Sequence, residues 1–260
     1  MGTVKTAKPT LGLMIALALA STAGLALEFY SFVIYGYAAT LAFPKVFFPH
    51  LPTVFAIVVG YLTFAAGFPA RIVGAFVFGH FGDKYGRSGA FIWDLVVTGV
   101  ATILIGLLPG YSVLGYSAAI LLTILRFFQG FGLGGEFSGA TALLVEFAEA
   151  GQSRWREFWA GWANAGFSIG GLAGALALLI PNFATTGWRL AFILSAIIFI
   201  PALVARIIIR ESPFMAKLLE QKLTVSAPSI LVFRRYWLPI ILLAMWSSFQ
   251  QFDGYASLTY

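Results

Sequence analysis

The sequence has no cysteine, only two histidines, and few charges: 16 Lys plus Arg and 10 Asp plus Glu among 260 residues. The lack of cysteine excludes disulfides and thiolate metal sites. His50 and His80 cannot by themselves build a His/Cys metal cluster, no spacing suggests a Ser-His pair, and no glycine-rich loop ending in GK plus Ser or Thr is present to cradle a phosphate. No catalytic residue, metal site or cofactor is therefore expected, and the chain does not read as an enzyme. Charged residues make up 10% of the chain, against about 25% in soluble domains. With 60% hydrophobic residues, including 26 Phe and 7 Trp, a water-soluble fold would lack the polar surface to cover itself. The net charge of +6 comes from basic residues scattered between apolar runs rather than gathered on one face, which argues against a nucleic-acid partner.

What is present is a series of long apolar runs, with a mean hydropathy of +0.91. About 20 apolar residues span a hydrocarbon layer about 30 Å thick. Six such spans fall near residues 11–38, 52–79, 89–108, 115–145, 159–180 and 189–209, and a seventh starts near Trp237 and runs to Tyr260. The expected fold is all-α: a polytopic, multi-pass protein of the lipid bilayer. Residues 1–209 would form a six-helix amino-terminal bundle, 210–236 a linker with a short amphipathic helix near Pro213, and 237–260 a seventh helix at which a second bundle would begin. Lys5 and Lys8 before an apolar run resemble a secretory signal, but the run continues to about Ala42 and carries polar residues, which favours a retained span.

Positive charge sets the expected orientation. With the amino terminus inside, the cytoplasmic segments hold Lys5, Lys8, Lys84, Arg87, Arg154, Arg156, Arg206, Arg210, Lys217, Lys222, Arg234 and Arg235, and the outside holds only Lys45 and Arg189. Twelve against two is a strong positive-inside bias. It places the amino terminus and residues 210–235 in the cytoplasm of a cell membrane. The same side receives Gly79–Ser88, a compact charged turn joining spans two and three, whose Gly79, Gly82 and Gly86 are expected to let two helix backbones approach.

Glu28, Arg71, Asp94, Arg126 and Glu136 fall inside apolar spans, where an Arg or Asp at a helix centre costs about 2.5–3.5 kcal/mol. They require partners or a water-filled interior, and they read either as a pathway or as ion pairs that fix packing. Arg126, Gln129 and Glu136 share one face of span four, while Glu28, Ser31 and Tyr35 share a face of span one. Asn164 and Ser168 add a polar stripe in span five. Such a lining suits a small-molecule solute: Arg126 matches an anionic group, and Glu28 or Glu136 can carry a proton. Gly166, Gly170 and Gly174 recur at small-xxx-small spacing, a packing signal. Gly130, Gly132, Gly134 and Gly135 permit either close packing or a deformable helix. Gly24-Leu25-Ala26-Leu27-Glu28-Phe29 matches Gly132-Leu133-Gly134-Gly135-Glu136-Phe137 at four positions in spans of opposite direction, the kind of internal similarity that inverted repeats leave.

Gly79-His80-Phe81-Gly82-Asp83-Lys84-Tyr85-Gly86-Arg87 resembles the Gly-x-x-x-Asp-Arg/Lys-x-Gly-Arg signature of the major facilitator superfamily, at its usual place between spans two and three. LEFYSF, TFAAGFPARIVGAFVFGHFGD, LRFFQGFGLGGEFSGA, TTGWR and RESPF are similar to its metabolite:proton symporter branch, which carries dicarboxylates, citrate, proline and betaine. The resemblance covers roughly residues 20–215. It implies a proton-coupled secondary transporter of a small organic acid or amino-acid-like metabolite, working by alternating access between two six-helix bundles, with H+ as coupling ion and no other cofactor. It also implies that Gly79, Gly82, Asp83, Lys84, Gly86 and Arg87 form a cytoplasmic gating motif closing in part on the second bundle, and that Arg126 with Gln129 is the polar motif of span four. Departures are Ser31 where the branch commonly has Asp, Ile72 where Pro usually follows the arginine, and Ser88 where a basic residue often closes the turn. Span five lacks the Gly-Pro element of proton-driven antiporters, which favours symport. With about seven of the twelve expected spans present, the alternative is a non-transporting half-carrier or membrane scaffold that needs a second bundle or a partner chain.

Overall fold

A computed structural model describes residues 10–150, 155–162, 164–208, 211–221 and 228–259. Lys5, Lys8, Arg154, Arg210 and Lys222, five of the charges used for orientation, lie outside the described residues. The elements in order are α1 (Leu11–Leu41), α2 (Phe43–Val46), α3 (Thr53–Ala65), α4 (Gly67–Tyr85), α5 (Arg87–Leu107), α6 (Tyr111–Leu114), α7 (Ser117–Ala150), α8 (Arg156–Trp162) and α9 (Ala165–Leu176). A 3₁₀ turn (Ala177–Leu179) and a π turn (Phe183–Gly187) then lead into α10 (Trp188–Leu194), α11 (Ala196–Ile208), α12 (Pro213–Glu220) and α13 (Pro228–Thr259). No strand occurs among the described residues.

Among the described residues five stretches are long and apolar enough to cross a bilayer: Leu11–Leu41, Thr53–Tyr85, Arg87–Leu107, Ser117–Glu149 and Phe183–Ile208. The expected fifth span appears as α8 and α9, of which Ala165–Leu179 is apolar but shorter. Helix starts follow local chemistry. Thr10 caps α1 by accepting from the Leu13 amide at 3.3 Å, and Ser212 caps α12 by accepting from Met215 at 3.1 Å, with Pro213 at the first helical position. α13 is bent at Tyr236 (φ −127°, ψ 28°) and contains Pro239, which removes one ladder donor and crowds the preceding turn.

Spans two and three meet more abruptly than the expected ten-residue turn. α4 continues through Gly79–Tyr85, and the chain reverses at Gly86 alone (φ 113°, ψ 142°) before α5 begins at Arg87. That backbone geometry is essentially open to glycine only. Gly86→Ala is expected to cost about 1–3 kcal/mol, read as a lowered thermal midpoint of the purified chain, and more if Glu211, whose Oε2 lies 2.5 Å from where the new Cβ would sit, cannot give way.

Glycine sets the helix spacing elsewhere. On α7, Gly130 and Gly134 lie against the α4 backbone at Gly67 and at Arg71, Gly74 and Ala75, while Gly132, Gly135 and Gly139 turn to α5 and to Phe78. These glycines thus serve packing on two sides. On α9, Gly166, Gly170 and Gly174 lie along α1 at Thr22, Ala26 and Tyr30 to Val33, as the small-xxx-small spacing predicts. Gly79 does not share this role: nothing lies within 4 Å of the position a Cβ would take.

The end of the bundle away from Gly86 is an aromatic core. Phe43 meets Tyr35 at 5.1 Å and Trp188 at 5.3 Å between ring centroids, both edge-on, and the Tyr30 hydroxyl donates to Ala191 O at 2.6 Å. Leu62, Ile72, Trp93, Ile197 and Val204 point outward and exposed, the surface that lipid covers.

Candidate functional site

Between these ends the bundle holds buried polar groups in three clusters. The first joins α1 to α4. Glu28, 3% exposed, is ion-paired with Arg71, and its Oε2 is buried with no hydrogen-bond partner. Ser31 does not reach outward: its hydroxyl donates to Glu28 O at 2.8 Å within the same helix.

The second cluster surrounds Arg126, also 3% exposed. Nε donates to Phe64 O at 3.3 Å and Nη1 to Gln129 Oε1 at 2.5 Å. The guanidinium carbon lies 4.5 Å from the Tyr35 ring centroid and 4.4 Å from that of Phe64, a cation–π arrangement that strengthens when desolvated. Gln129 donates onward to Thr102 Oγ1 at 2.7 Å, and the Tyr35 hydroxyl bonds Thr63 Oγ1 at 2.9 Å. Among the described residues no carboxylate lies within ion-pair distance of Arg126. A cation is held here by rings and amides, with its formal charge unmatched locally.

The third cluster lies one turn below Glu28 on α1, where Gly24 faces it. Arg206 of α11 pairs with Glu136 of α7, donates to Asp94 Oδ1 of α5 at 3.2 Å and to Phe91 O at 2.9 Å. All three side chains are buried. Arg206 is thus an interior residue, not one of the cytoplasmic charges that fix orientation, and Glu136 is committed to it and not to Arg126 on its own helix. The clusters are neighbours: Glu136 and Arg206 reach Gly24, one turn before Glu28 on α1, and Arg126 reaches Gly67, one turn before Arg71 on α4. Among the described residues the three clusters divide their charges unevenly: Glu28 has the half-exposed Arg71, Arg126 has no acid, and Arg206 faces both Asp94 and Glu136.

A fourth group sits at the Gly86 turn. Arg87 pairs with Asp83 at 3.5 Å and with Glu146 of α7 at 2.7 Å. Glu211 accepts from the Ser88 amide at 3.0 Å, and the Ser212 hydroxyl donates to Glu146 at 2.5 Å. Lys84 lies 5.1 Å from the Tyr85 ring centroid.

The profile of the family described as "Sugar (and other) transporter" matches residues 16–227. The chain belongs to this family, within the major facilitator superfamily. It is 40% identical over 216 residues to the inner membrane metabolite transport protein YhjE of Escherichia coli, covering 80% of this chain and 48% of that protein. It is 36% identical over 202 residues to the shikimate transporter of the same organism, covering 75% and 45%. The proton:xylose symporter XylE of E. coli has the same fold, with a TM-score of 0.66 at 19% identity, over 85% of this chain and 49% of that one. The chain spans about half the length of the curated relatives it matches. Its fold is that of the amino-terminal half of a major facilitator protein, and it is a multi-pass membrane protein of a family of carriers, not enzymes.

Within this major facilitator half, the residues expected to line one pathway are divided. Glu28, Ser31 and Arg71 lie together, as do Tyr35, Arg126 and Gln129, and Glu136 joins Asp94 and Arg206. Asn164 stands apart, exposed just before α9, and Ser168 one turn on is exposed as well. At the charged turn Arg87 already has a partner within this bundle, Glu146; Asp83, 46% exposed, is the more open member. Sequence reasoning counted Arg206 among the cytoplasmic charges and gave no role to Glu146 or Glu211. Arg206 was discoverable, since Phe199, Ala202 and Arg206 fall at i, i+3 and i+7 on the buried face of α11. Glu211 belongs to the RESPF stretch, whose contact with Gly86 and Ser88 only the tertiary structure supplies.

Proposed function

We propose that this chain forms one half of a proton-coupled carrier that moves a small organic acid or amino-acid-like metabolite by alternating access, together with a second six-helix bundle or another chain. The observation that carries this reading is Arg126: buried, held by Tyr35, Phe64 and Gln129, and without a carboxylate partner among the described residues. A buried guanidinium of this kind offers fork-like hydrogen bonds to a carboxylate that enters from outside the protein. The likeness to a protein named for shikimate, itself a carboxylic acid, supports the same substrate chemistry. The buried carboxylates Glu28 and Glu136 support H+ as the coupling ion, since an acid side chain in a low-dielectric interior can be neutralised by a proton. The excess of Lys and Arg on one set of segments supports a cytoplasmic amino terminus and a cytoplasmic segment 210–235.

The test is uptake of radiolabelled shikimate, proline and a panel of other small acids into proteoliposomes holding the chain, alone and with a second bundle supplied, under an inward-acid pH gradient. Arg126→Ala is expected to lower uptake at least about tenfold, the scale of one lost charge-assisted hydrogen bond, and Arg126→Lys to fall between because it keeps the charge but not the fork. Uptake unchanged in Arg126→Ala removes Arg126 from the substrate site. Absence of acid-driven uptake in every arrangement favours the non-transporting half-carrier.

A further inference from the structure

A cavity of about 200 Å³ runs between α4, α5 and α7 directly beneath the Gly86 turn. Gly82, Asp83 and Arg87 line it at one end and Asp94 and Gly135 at the other, with Phe91 along its wall. It has room for several water molecules. Its inner end is Asp94, only 1% exposed. Asp94 Oδ1 accepts from Arg206, whereas Oδ2 is buried and receives no hydrogen bond. A Cβ on Gly135 would lie 2.7 Å from Phe78 Cβ and 2.9 Å from that Oδ2, so a side chain here would fill the gap that leads from the buried oxygen to the cavity.

The charge count around Asp94 is uneven. Among the described residues Arg206 from α11 is the one cation bonded to Asp94, and the same guanidinium holds Glu136 of α7, which leaves one negative charge in excess when both acids are ionised. An uncompensated buried charge costs several kcal/mol, and one proton neutralises the set. The Asp94 and Glu136 carboxylates are both drawn onto the one Arg206 guanidinium, an approach that two ionised carboxylates resist and one shared proton makes favourable. Among the described residues the other charged groups facing this space are Asp83 and Arg87 at the cavity mouth, with Glu28 one turn along α1 from Gly24, which Glu136 reaches. A metal cation fits poorly, because hard cations gather several oxygens at once and here a guanidinium occupies the centre.

We infer that Asp94, Glu136 and Arg206 form a one-proton site that exchanges with the Gly86 side of the membrane through this cavity, with Gly135 keeping the passage open. Asp94 and Glu136 hold the proton, and Arg206 is a positioning residue that keeps them together. The step is a simple transfer: a proton moves between water in the cavity and a carboxylate oxygen of the pair. In the proton-coupled reading, on which the transport role of this site rests, it is the exit of the coupling proton to the cytoplasm.

The test is a pH titration of the full chain in lipid nanodiscs by infrared difference spectroscopy, with the proton itself as probe and exchange into D2O marking the carboxyl band. One carboxyl is expected to gain and lose its proton between about pH 5 and about pH 9, the range open to buried acids. Asp94→Asn and Glu136→Gln should each abolish that band or displace its midpoint by at least about one pH unit. Gly135→Ala keeps every charge but covers Oδ2, and should slow proton release after a pH jump at least about tenfold, whereas Gly36→Ala should not. The inference is overturned if the wild-type chain shows no such band, or if the band survives both carboxyl substitutions unchanged. Where those variants do not fold, unaltered release kinetics in Gly135→Ala overturn it. A titrating band in a chain without acid-driven uptake keeps the proton site and removes the transport reading; acid-driven uptake with a band indifferent to Asp94 and Glu136 does the reverse.

Discussion

Gly74→Ala, Gly130→Ala and Gly134→Ala are each expected to destabilise the chain by about 2–3 kcal/mol, and Gly36→Ala to stabilise it by up to about 1 kcal/mol. The opposite signs come from the same chemical change. In an open helix position a methyl group removes the backbone entropy that glycine adds to the unfolded chain. At Gly36 nothing lies within 4 Å of the new carbon, so only that gain remains. At Gly74 the carbon would meet Phe131 O, at Gly130 the backbone of Gly67, and at Gly134 the backbone of Arg71, Gly74 and Ala75. Backbone cannot rotate aside as a side chain can, so α4 and α7 must separate, and contacts along the whole pair are lost. Detergent-solubilised chains compared by thermal unfolding would show it. Equal midpoints for Gly36→Ala and Gly134→Ala would mean that the two helices are not held at this spacing.

The second large effect is at Arg206. Arg206→Met should destabilise by about 3–5 kcal/mol, because it leaves Asp94 and Glu136 buried together without a counter-charge. Adding Asp94→Asn and Glu136→Gln to the same chain removes the stranded charges and should recover most of the loss. The comparison needs unfolding measurements on the single, double and triple variants. A triple variant no more stable than Arg206→Met would show that the arginine acts through its packing against Phe91, where its guanidinium carbon lies 4.9 Å from the ring centroid, and not through its charge.

The helices and their order were legible because apolar length is a direct requirement of the bilayer, and α1, α5 and α7 follow the runs that marked them. The charged turn was legible as a site but not in shape, because Gly79–Tyr85 can continue a helix and only Gly86 has a backbone that must break it. The site was legible residue by residue and not pair by pair. Glu28, Arg71, Asp94, Arg126 and Glu136 stand out in an apolar chain by their charge alone. Which of them meet depends on helix rotation and on the arrival of Arg206 from 70 residues beyond Glu136, information that lies in packing rather than in local pattern. Face sharing placed Arg126 near Glu136 on α7, yet ten residues of helix span about 15 Å, and each found a nearer partner on another helix.

The interior pairs have a direction along the chain. Glu28 precedes Arg71, and Asp94 and Glu136 precede Arg206. During synthesis the acid of each of these pairs leaves the ribosome before its base. A carboxyl group can enter lipid neutral by taking up a proton, whereas a guanidinium keeps its charge. The chain therefore lays down first the partner that can wait uncharged, and each of these arginines is synthesised after the acid it pairs with.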